Sequence, residues 1–180
     1  MLIDWSIYAG PIKYQGFCGA CYAFAAVDTL AIVNSISKYS FYISLSVQQI
    51  IDCTNNNLTF GCSGGYLEGA FTYIQLNGVT TEQVYPYISA NTGKAGTCQR
   101  EGGPFKLSTF NPISEGNCDE VIRSLALGPI SAGIAGYSLQ FYDTGVFSDC
   151  NTVLDHAVVI VGYKSGVGWR IKNSWGMKWG

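Results

Sequence analysis

The sequence predicts an α+β fold, with helices in the first half of the chain and strands in the second half. Segments before residue 80 have apolar residues at helical spacing and few helix breakers, whereas later segments contain short apolar runs between turn residues. Of the 180 residues, 48% are hydrophobic and only 12% are charged, which suits a well-buried core. A chain of this length forms one compact unit or two small domains around a cleft.

The predicted helices rest on periodicity and on their end residues. In the longest one, Phe24, Val27 and Ala31 lie near helical spacing. Ser46 is a favourable N-cap for the second helix, and Gly78 is a typical stop after the third. The predicted helices cover residues 21–38, 46–53, 66–76 and 119–127.

The predicted strands are short apolar runs that contain β-branched or aromatic residues and are bounded by turn residues. A glycine-rich segment, residues 91–104, is predicted to be irregular and separates these strands from the first three helices. The predicted strands cover residues 105–110, 130–135, 157–163 and 168–172.

Charge and composition exclude several classes of partner. The formal net charge is −2, with ten basic and twelve acidic residues and no basic run, so nothing favours nucleic acid or an anionic membrane surface. No apolar run reaches the roughly 20 residues that span a bilayer, so no membrane segment is expected. Seven cysteines in a chain of this size indicate an oxidising compartment.

The most informative segment is residues 15–24, in which Cys21 falls at the first turn of the longest predicted helix. A helix N-terminus favours negative charge and lowers the pKa of a thiol, so we expect Cys21 to be reactive. The single histidine, His156, and the later Asn173 complete a set of nucleophile, base and orienting group. The alternatives are a redox pair of Cys18 with Cys21 or half of a zinc site, but the sequence lacks the second Cys/His pair and the βαβ pattern that these need.

The chain resembles the papain-like cysteine proteases, such as cathepsins L and B. Its segment Cys18-Gly19-Ala20-Cys21-Tyr22 matches the family signature C-G-[SA]-C-[WY], with tyrosine where tryptophan is most common. The family's histidine and asparagine follow about 130–150 residues later, and His156 and Asn173 match that spacing. Further matching motifs are Asp4-Trp5, Gln15-Gly16, Ser46-Val47-Gln48-Gln49, Asp52-Cys53, Gly61-Cys62-Ser63-Gly64-Gly65, Tyr85-Pro86-Tyr87, Gly128-Pro129-Ile130-Ser131, Gly162-Tyr163 and Asn173-Ser174-Trp175-Gly176.

The resemblance implies a papain-like two-domain fold with the active site in the cleft between the domains. A helical domain over residues 8–108 would carry the nucleophile. A β-barrel-like domain over residues 1–7 and 109–180 would carry the histidine and asparagine. Family members continue past this segment for some tens of residues, so we expect the β half to be incompletely covered and hydrolysis to be weak. In particular, Val158, Ile160 and Ile171 are expected to be less buried than in the complete family fold.

The resemblance also implies a catalytic role for each matched residue. Cys21 would be the nucleophile, held as a thiolate by the imidazolium of His156. Asn173 would hold the second ring nitrogen of that histidine. Gln15 would donate its amide to the oxyanion together with the Cys21 backbone N–H. Trp175 would cover the hydrogen bond between histidine and asparagine and keep water out.

The implied function is a cysteine endopeptidase that works through an acyl-enzyme and prefers a bulky apolar side chain at the second residue before the scissile bond. The alternative is an inactive or incomplete papain-like module that binds peptides or a protein partner. We expect peptide or protein substrates, a propeptide or cystatin-like inhibitors as partners, a monomer, no cofactor and no metal, and a lysosomal, vacuolar or secreted location. The implied substrate-binding residues are Gly64, Gly65, Tyr66, Leu67, Gly133, Leu154, Asp155, Ala157 and Trp175.

The remaining cysteines are expected to form disulfides. The family pattern implies two bridges, Cys18–Cys62 and Cys53–Cys98, both within the helical half. A bridge between Cys118 and Cys150 is possible, and the sequence alone leaves it open.

Overall fold

The computed structural model describes residues 1–149 and 151–180. Apart from a short first strand, helices precede strands along the chain, so the predicted α+β class is confirmed. The helices in the described ranges are α1 (Cys21–Asn34), α2 (Val47–Cys53), α3 (Leu67–Asn77), α4 (Ser89–Thr92) and α5 (Cys118–Leu125). The strands there are β1 (Leu2–Asp4), β2 (Ile130–Ile134), β3 (His156–Lys164) and β4 (Gly168–Lys172).

Helix α1 is the central helix, because its sequence is almost wholly small or apolar. Eleven of its fourteen residues are buried, and it contacts α2, α3, β2 and β3. A helix that is apolar on all sides has to be buried on all sides. Its first residue, Cys21, packs with Ala25 of the same helix against Ala157 and Val159 of β3. The start of α1 therefore lies against the sheet.

The ends of α2 and α3 follow from the residues that predicted them. The Ser46 hydroxyl accepts a 3.0 Å hydrogen bond from the Gln49 N–H, which satisfies a free donor at the start of α2. Helix α3 ends at Asn77 because Gly78 has a φ of +77°, a conformation that glycine adopts without strain. A Cβ at Gly78 would also lie 2.3 Å from the Gly103 carbonyl oxygen.

Strand β3 is the centre of a four-stranded antiparallel sheet. β2 and β1 pair with one of its edges, and β4 pairs with the other. The register places Ile134 opposite His156 and Lys172 opposite Val159. The beginning of β3 and the end of β4 are therefore at the same end of the sheet, which brings His156 close to Asn173, the residue after β4.

Both disulfides implied by the resemblance are present. Cys18 pairs with Cys62, and Cys53 pairs with Cys98. These pairs exclude a redox disulfide of Cys18 with Cys21. A bridge from Cys118 to Cys150 would involve a residue that lies outside the described ranges.

Most predicted elements are confirmed, with shifted ends. The 21–38 helix is α1 followed by a π-helical turn, Ser35–Tyr39. The strand predicted over residues 105–110 is wrong, because only Phe105 makes a bridge, to Val79. After that bridge, Lys106 Nζ donates to the Leu76 carbonyl at the end of α3, so the chain follows the helix instead of joining the sheet.

The expected exposure of the β half is wrong for two of three residues. Val158 and Ile160 are buried, and both α1 and α5 pack against their strand, β3. Ile171 is partly buried. Within the described ranges, no helix combines the length and the apolar character that crossing a bilayer requires. The predicted division of the chain into two domains stays a prediction.

Candidate active site

Cys21 is the first residue of α1 and one of two free cysteines that the structure describes, the other being the exposed Cys118. The loop before α1 fixes the position of Cys21. The Gly19 N–H donates to the Cys62 carbonyl at 2.9 Å, and Cys18 is bonded to Cys62. A Cβ at Gly19 would lie 2.8 Å from that same carbonyl oxygen, so the close approach requires glycine.

The surroundings of Cys21 change its pKa in the direction opposite to our expectation. Burial raises the pKa of the thiol. The N–H groups of Ala157, Tyr22 and Cys21 lower it, the last two being free donors of the first turn of α1. The prediction that the helix start gives a low pKa is therefore wrong for the thiol alone, because desolvation outweighs these donors. A positively charged partner would favour the thiolate here.

His156 begins β3 and is 8% exposed. Its Nε2 lies 2.7 Å from Asn173 Oδ1, which accepts the ring N–H when that nitrogen is protonated. The Trp175 ring stacks on the imidazole with centroids 4.5 Å apart, and Trp179 packs edge-on against Trp175 at 5.2 Å. The indole thus lies against the imidazole that donates this bond.

Among the described residues, the bond to Asn173 is the only hydrogen bond of the His156 ring. In the described part of the chain no hydrogen bond joins the ring to the Cys21 sulfur, but the N–H of Ala157, the next residue, faces that sulfur. Burial lowers the pKa of His156, whereas the Asn173 bond and the nearby Asp155 raise it. Burial thus disfavours the Cys21 thiolate and the His156 imidazolium when each is alone. A thiolate–imidazolium pair would depend on the attraction between the two charges.

The Gln15 side chain is fixed at both ends. Its Oε1 accepts a 2.8 Å hydrogen bond from the Ser174 hydroxyl, and its Nε2 donates to the Cys18 carbonyl at 3.0 Å. The Tyr87 hydroxyl donates to its backbone carbonyl at 2.7 Å. Since an amide NH₂ has two hydrogens, one N–H of Gln15 has no partner among the described residues.

Gly65 lies against the ring of Tyr22, the residue after Cys21, and Gly64 precedes it. A Cβ at Gly65 would be 3.1 Å from that ring, so the backbone approaches it as closely as glycine allows. Gly64 has a φ of +106°, and none of the described atoms lies within 4 Å of where its Cβ would be. An extended peptide could therefore approach this backbone without obstruction.

The other predicted substrate-binding residues lie on α3, on the sheet and in the loop before β3. Leu67 packs against the cluster that contains Cys21 and Ala157. Gly133 pairs with Ala157 across β2 and β3, and its Cβ would lie 3.8 Å from the exposed Leu154. Tyr66 is exposed at the start of α3. Asp155 accepts a hydrogen bond from the Gly136 N–H at 2.6 Å, and it thus orders the loop before His156.

Two residues that touch this site, Ser174 and Gly136, are not among those predicted from the sequence. Ser174 bonds Gln15, and its place inside the Asn173-Ser174-Trp175-Gly176 motif could have indicated a role. Gly136 packs directly against the base, since a Cβ there would lie 2.4 Å from the His156 Cβ. No local sequence signal predicts that contact, because it arises from the pairing of β2 with β3.

The comparisons with known proteins agree with this geometry. Residues 2–180 match the papain family cysteine protease. The chain is 39% identical to a senescence-specific cysteine protease of Arabidopsis thaliana and 36% identical to cathepsin L 2 of Paramecium tetraurelia, in each case over 99% of its length. It covers 53% and 56% of those proteins, so it spans about half the length of the curated relatives it matches.

A solved structure extends the agreement to the fold. A cysteine protease of Carica candamarcensis in complex with E-64 superposes with a TM-score of 0.87 at 33% identity, covering 99% of this chain and 84% of that one. The predicted papain-like fold is therefore confirmed. With the family match over nearly the whole sequence, the chain belongs to the papain family of cysteine proteases.

Proposed function

We propose that this chain is a cysteine endopeptidase in which Cys21 attacks the peptide bond. One observation carries the proposal. The thiol at the start of α1 faces the N–H of Ala157, and the neighbouring His156 is held by Asn173 at 2.7 Å. The proposed nucleophile packs beside Ala157, the residue after the proposed base, and Asn173 would orient that base, which supports the proposal.

The proposed reaction proceeds in two steps. His156 takes the thiol proton, and the Cys21 sulfur bonds to the carbonyl carbon while the carbonyl electron pair moves to oxygen. Gln15 and the Cys21 N–H would stabilise that oxyanion. The C–N bond then breaks, and the imidazolium gives its proton to the leaving amine. In the second step, water deprotonated by His156 hydrolyses the thioester and restores the thiol.

This mechanism requires a bell-shaped dependence of hydrolysis on pH. The acid limb would report thiolate formation, and the alkaline limb would report loss of the imidazolium proton. Because burial raises the pKa of the Cys21 thiol, removing its partner should leave a neutral thiol. In His156→Ala, alkylation of Cys21 should therefore accelerate only at a pH above the ordinary thiol pKa of about 8.5. Equal alkylation rates at pH 6 in both proteins would contradict the ion pair.

The proposed preference is for a bulky apolar residue at the second position before the scissile bond. Leu67, Ala157 and Leu154 support it, since they present apolar surface next to Gly133. Peptides with leucine or phenylalanine there should exceed matched peptides with aspartate by at least about tenfold in kcat/KM. Equal values would contradict the preference and leave the peptidase activity standing.

The proposed setting is an oxidising compartment, either lysosomal or vacuolar or outside the cell. The two disulfides support it, because such bonds persist where thiols are not kept reduced. Propeptide-like or cystatin-like inhibitors are the expected protein partners besides substrates, and no cofactor takes part in the proposed reaction.

The proposal is tested by labelling with E-64, the compound bound by the Carica relative, followed by identification of the labelled residue. We expect one label per chain, on Cys21, together with cleavage of an apolar peptide. Cys21→Ser should abolish both, whereas Cys118→Ser, the matched control at the other free thiol, should change neither. A folded chain that binds peptides but is neither labelled nor active would favour the inactive module instead.

A further inference from the structure

A buried carboxylate, Asp28, lies two turns after Cys21 on α1 and contacts two lysines. Asp28 is 5% exposed. Its Oδ1 lies 2.9 Å from Lys13 Nζ and accepts a 2.8 Å hydrogen bond from the Tyr42 hydroxyl. Its Oδ2 lies 2.6 Å from Lys172 Nζ. The three side chains around Asp28 have no role in the reaction proposed above.

We propose that Asp28 is a positioning residue, which sets the geometry of the catalytic site through its two lysines. The inference rests on the proposed peptidase function. Lys13 is two residues before Gln15, and Lys172 is directly before Asn173. A single carboxylate on α1 thus anchors both the segment with the oxyanion donor and the segment with the amide that orients the histidine.

The two anchored segments are also bonded to each other. The Gln15 N–H donates to the Ser174 carbonyl at 2.8 Å, and the Gly176 N–H donates to the Lys13 carbonyl at 2.9 Å. Lys172 Nζ additionally donates to the Ala9 carbonyl at 2.6 Å. A displacement of either lysine would therefore be transmitted to both segments.

The charges around Asp28 indicate what removal of its carboxylate would do. Although burial opposes ionisation, Lys13 and Lys172 hold the pKa of Asp28 below its ordinary value. Burial lowers the pKa of Lys172, and the charge of Asp28 offsets part of that decrease. Glu82, whose pKa burial raises, is a second carboxyl near Lys13. Without Asp28, two ammonium groups would face each other in a desolvated site and move apart with their backbones.

Few contacts other than those of its backbone hold the Asn173 side chain on the side that faces Asp28. A cavity of about 10 Å³, room for about one water, is lined by Asn173, Asp28 and Lys172 among others. The Asn173 Nδ2 has no protein hydrogen-bond partner among the described residues. Its Oδ1 bonds the His156 ring and the Ser174 N–H. The amide is therefore placed mainly by its own backbone, which the contact between Asp28 and Lys172 holds.

The test is Asp28→Asn, which removes the charge and keeps the size. The measurement is kcat per active site, with the sites counted by E-64 labelling. We expect kcat to fall about 10- to 100-fold while KM stays within about threefold, because the reacting groups shift and the Gly64–Gly65 backbone does not. A role in folding alone would lower the melting temperature and leave kcat per labelled site unchanged.

Asp52→Asn is the matched control, because Asp52 is another heavily bonded carboxylate of the helical part. It accepts hydrogen bonds from Gln48, Tyr85 and Gly96, none of which is beside a proposed catalytic residue in the chain. We expect this control to lose thermal stability and keep its kcat. If Asp28→Asn behaves in the same way, the inference is overturned. If the unmutated chain is not labelled at all, the proposed function fails, and this inference fails with it.

Lys13→Met is the second variant, for use if Asp28→Asn fails to fold. It leaves the ion pair of Asp28 and Lys172, whose opposite charges cancel. We expect kcat per labelled site to fall about fivefold. Since Lys13 would act through Gln15, that loss should shrink below about twofold when Gln15→Ala is already present. The same loss in both backgrounds would overturn the inference.

Discussion

The helical part and the strand part of this chain hold their site residues in different ways. Around α1, nineteen buried residues form one cluster, and both described disulfides join segments of this part. In the part of the chain that the structure describes, the cluster between α1 and β3 has six buried residues. There His156 is held by one hydrogen bond to Asn173, by stacking on Trp175 and by contact with Gly136.

This difference has a consequence for how each part responds to substitution. On the helical side the backbone is cross-linked, so it cannot move to compensate for a lost side chain. Cross-links should therefore contribute mainly to stability there. Deleting a side chain with a proposed catalytic role should lower the rate by the whole contribution of that side chain. On the strand side, a few packing contacts set the position of the imidazole, so small changes in packing should reduce activity with little effect on stability.

The largest effect is expected for Gln15→Ala, which deletes a donor from the rigid side. Losing one oxyanion donor costs about 2.7–4 kcal/mol in the barrier, so kcat should fall about 10²- to 10³-fold. Steady-state kinetics on an apolar peptide would measure it.

Gln75→Ala provides the control for this loss. Gln75 also donates its amide to a backbone carbonyl, that of Ser108, but on the exposed surface of α3. The kcat of the Gln75→Ala variant should not change. A loss below about threefold in Gln15→Ala would show that the Cys21 N–H stabilises the oxyanion alone, or that the loop relaxes despite its disulfide.

Removing each disulfide in turn should separate the two roles of the cross-links. The bridges span similar loops, 44 and 45 residues, so Cys18→Ser/Cys62→Ser and Cys53→Ser/Cys98→Ser should each lower the free energy of unfolding by about 2–4 kcal/mol. Denaturant unfolding would measure it. Only the first pair adjoins the nucleophile, through the bond from Gly19 to Cys62. Hydrolysis should therefore fall in the first variant alone, and an equal fall in both would contradict this assignment.

Gly136→Ala probes the strand side. Its Cβ would lie 2.4 Å from the His156 Cβ, an atom that cannot rotate away. We expect kcat to fall about 10- to 100-fold as the imidazole is displaced, measured per E-64-labelled site. Gly128→Ala is the control, because its Cβ would meet only Val33, at 3.9 Å. Full activity in Gly136→Ala would show that the imidazole is more firmly held than its contacts indicate.

The sequence predicted the parts of this structure that depend on local information. Cys21 lies at the start of α1 because an alanine-rich apolar segment forms a helix, and Ser46 and Gly78 mark helix ends by their own chemistry. Strand β1 could not be predicted, since three residues carry no usable periodicity and pair only because β3 is present. The contact of Asp28 with Lys172 is equally invisible, because no pattern records which distant charges meet.

The smallest effect is expected for Ser174→Ala, and it tests the link between the two parts. The Ser174 hydroxyl, on the strand side, donates to Gln15 Oε1 on the helical side at 2.8 Å. A neutral hydrogen bond contributes about 0.5–1.5 kcal/mol, so kcat should fall about two- to tenfold while the alanine fits the same space. Because the hydroxyl would act only by orienting Gln15, its effect should disappear in the Gln15→Ala background. Additive losses in the double variant would mean that Ser174 acts on the reaction by another route and that the two sides of the site work independently.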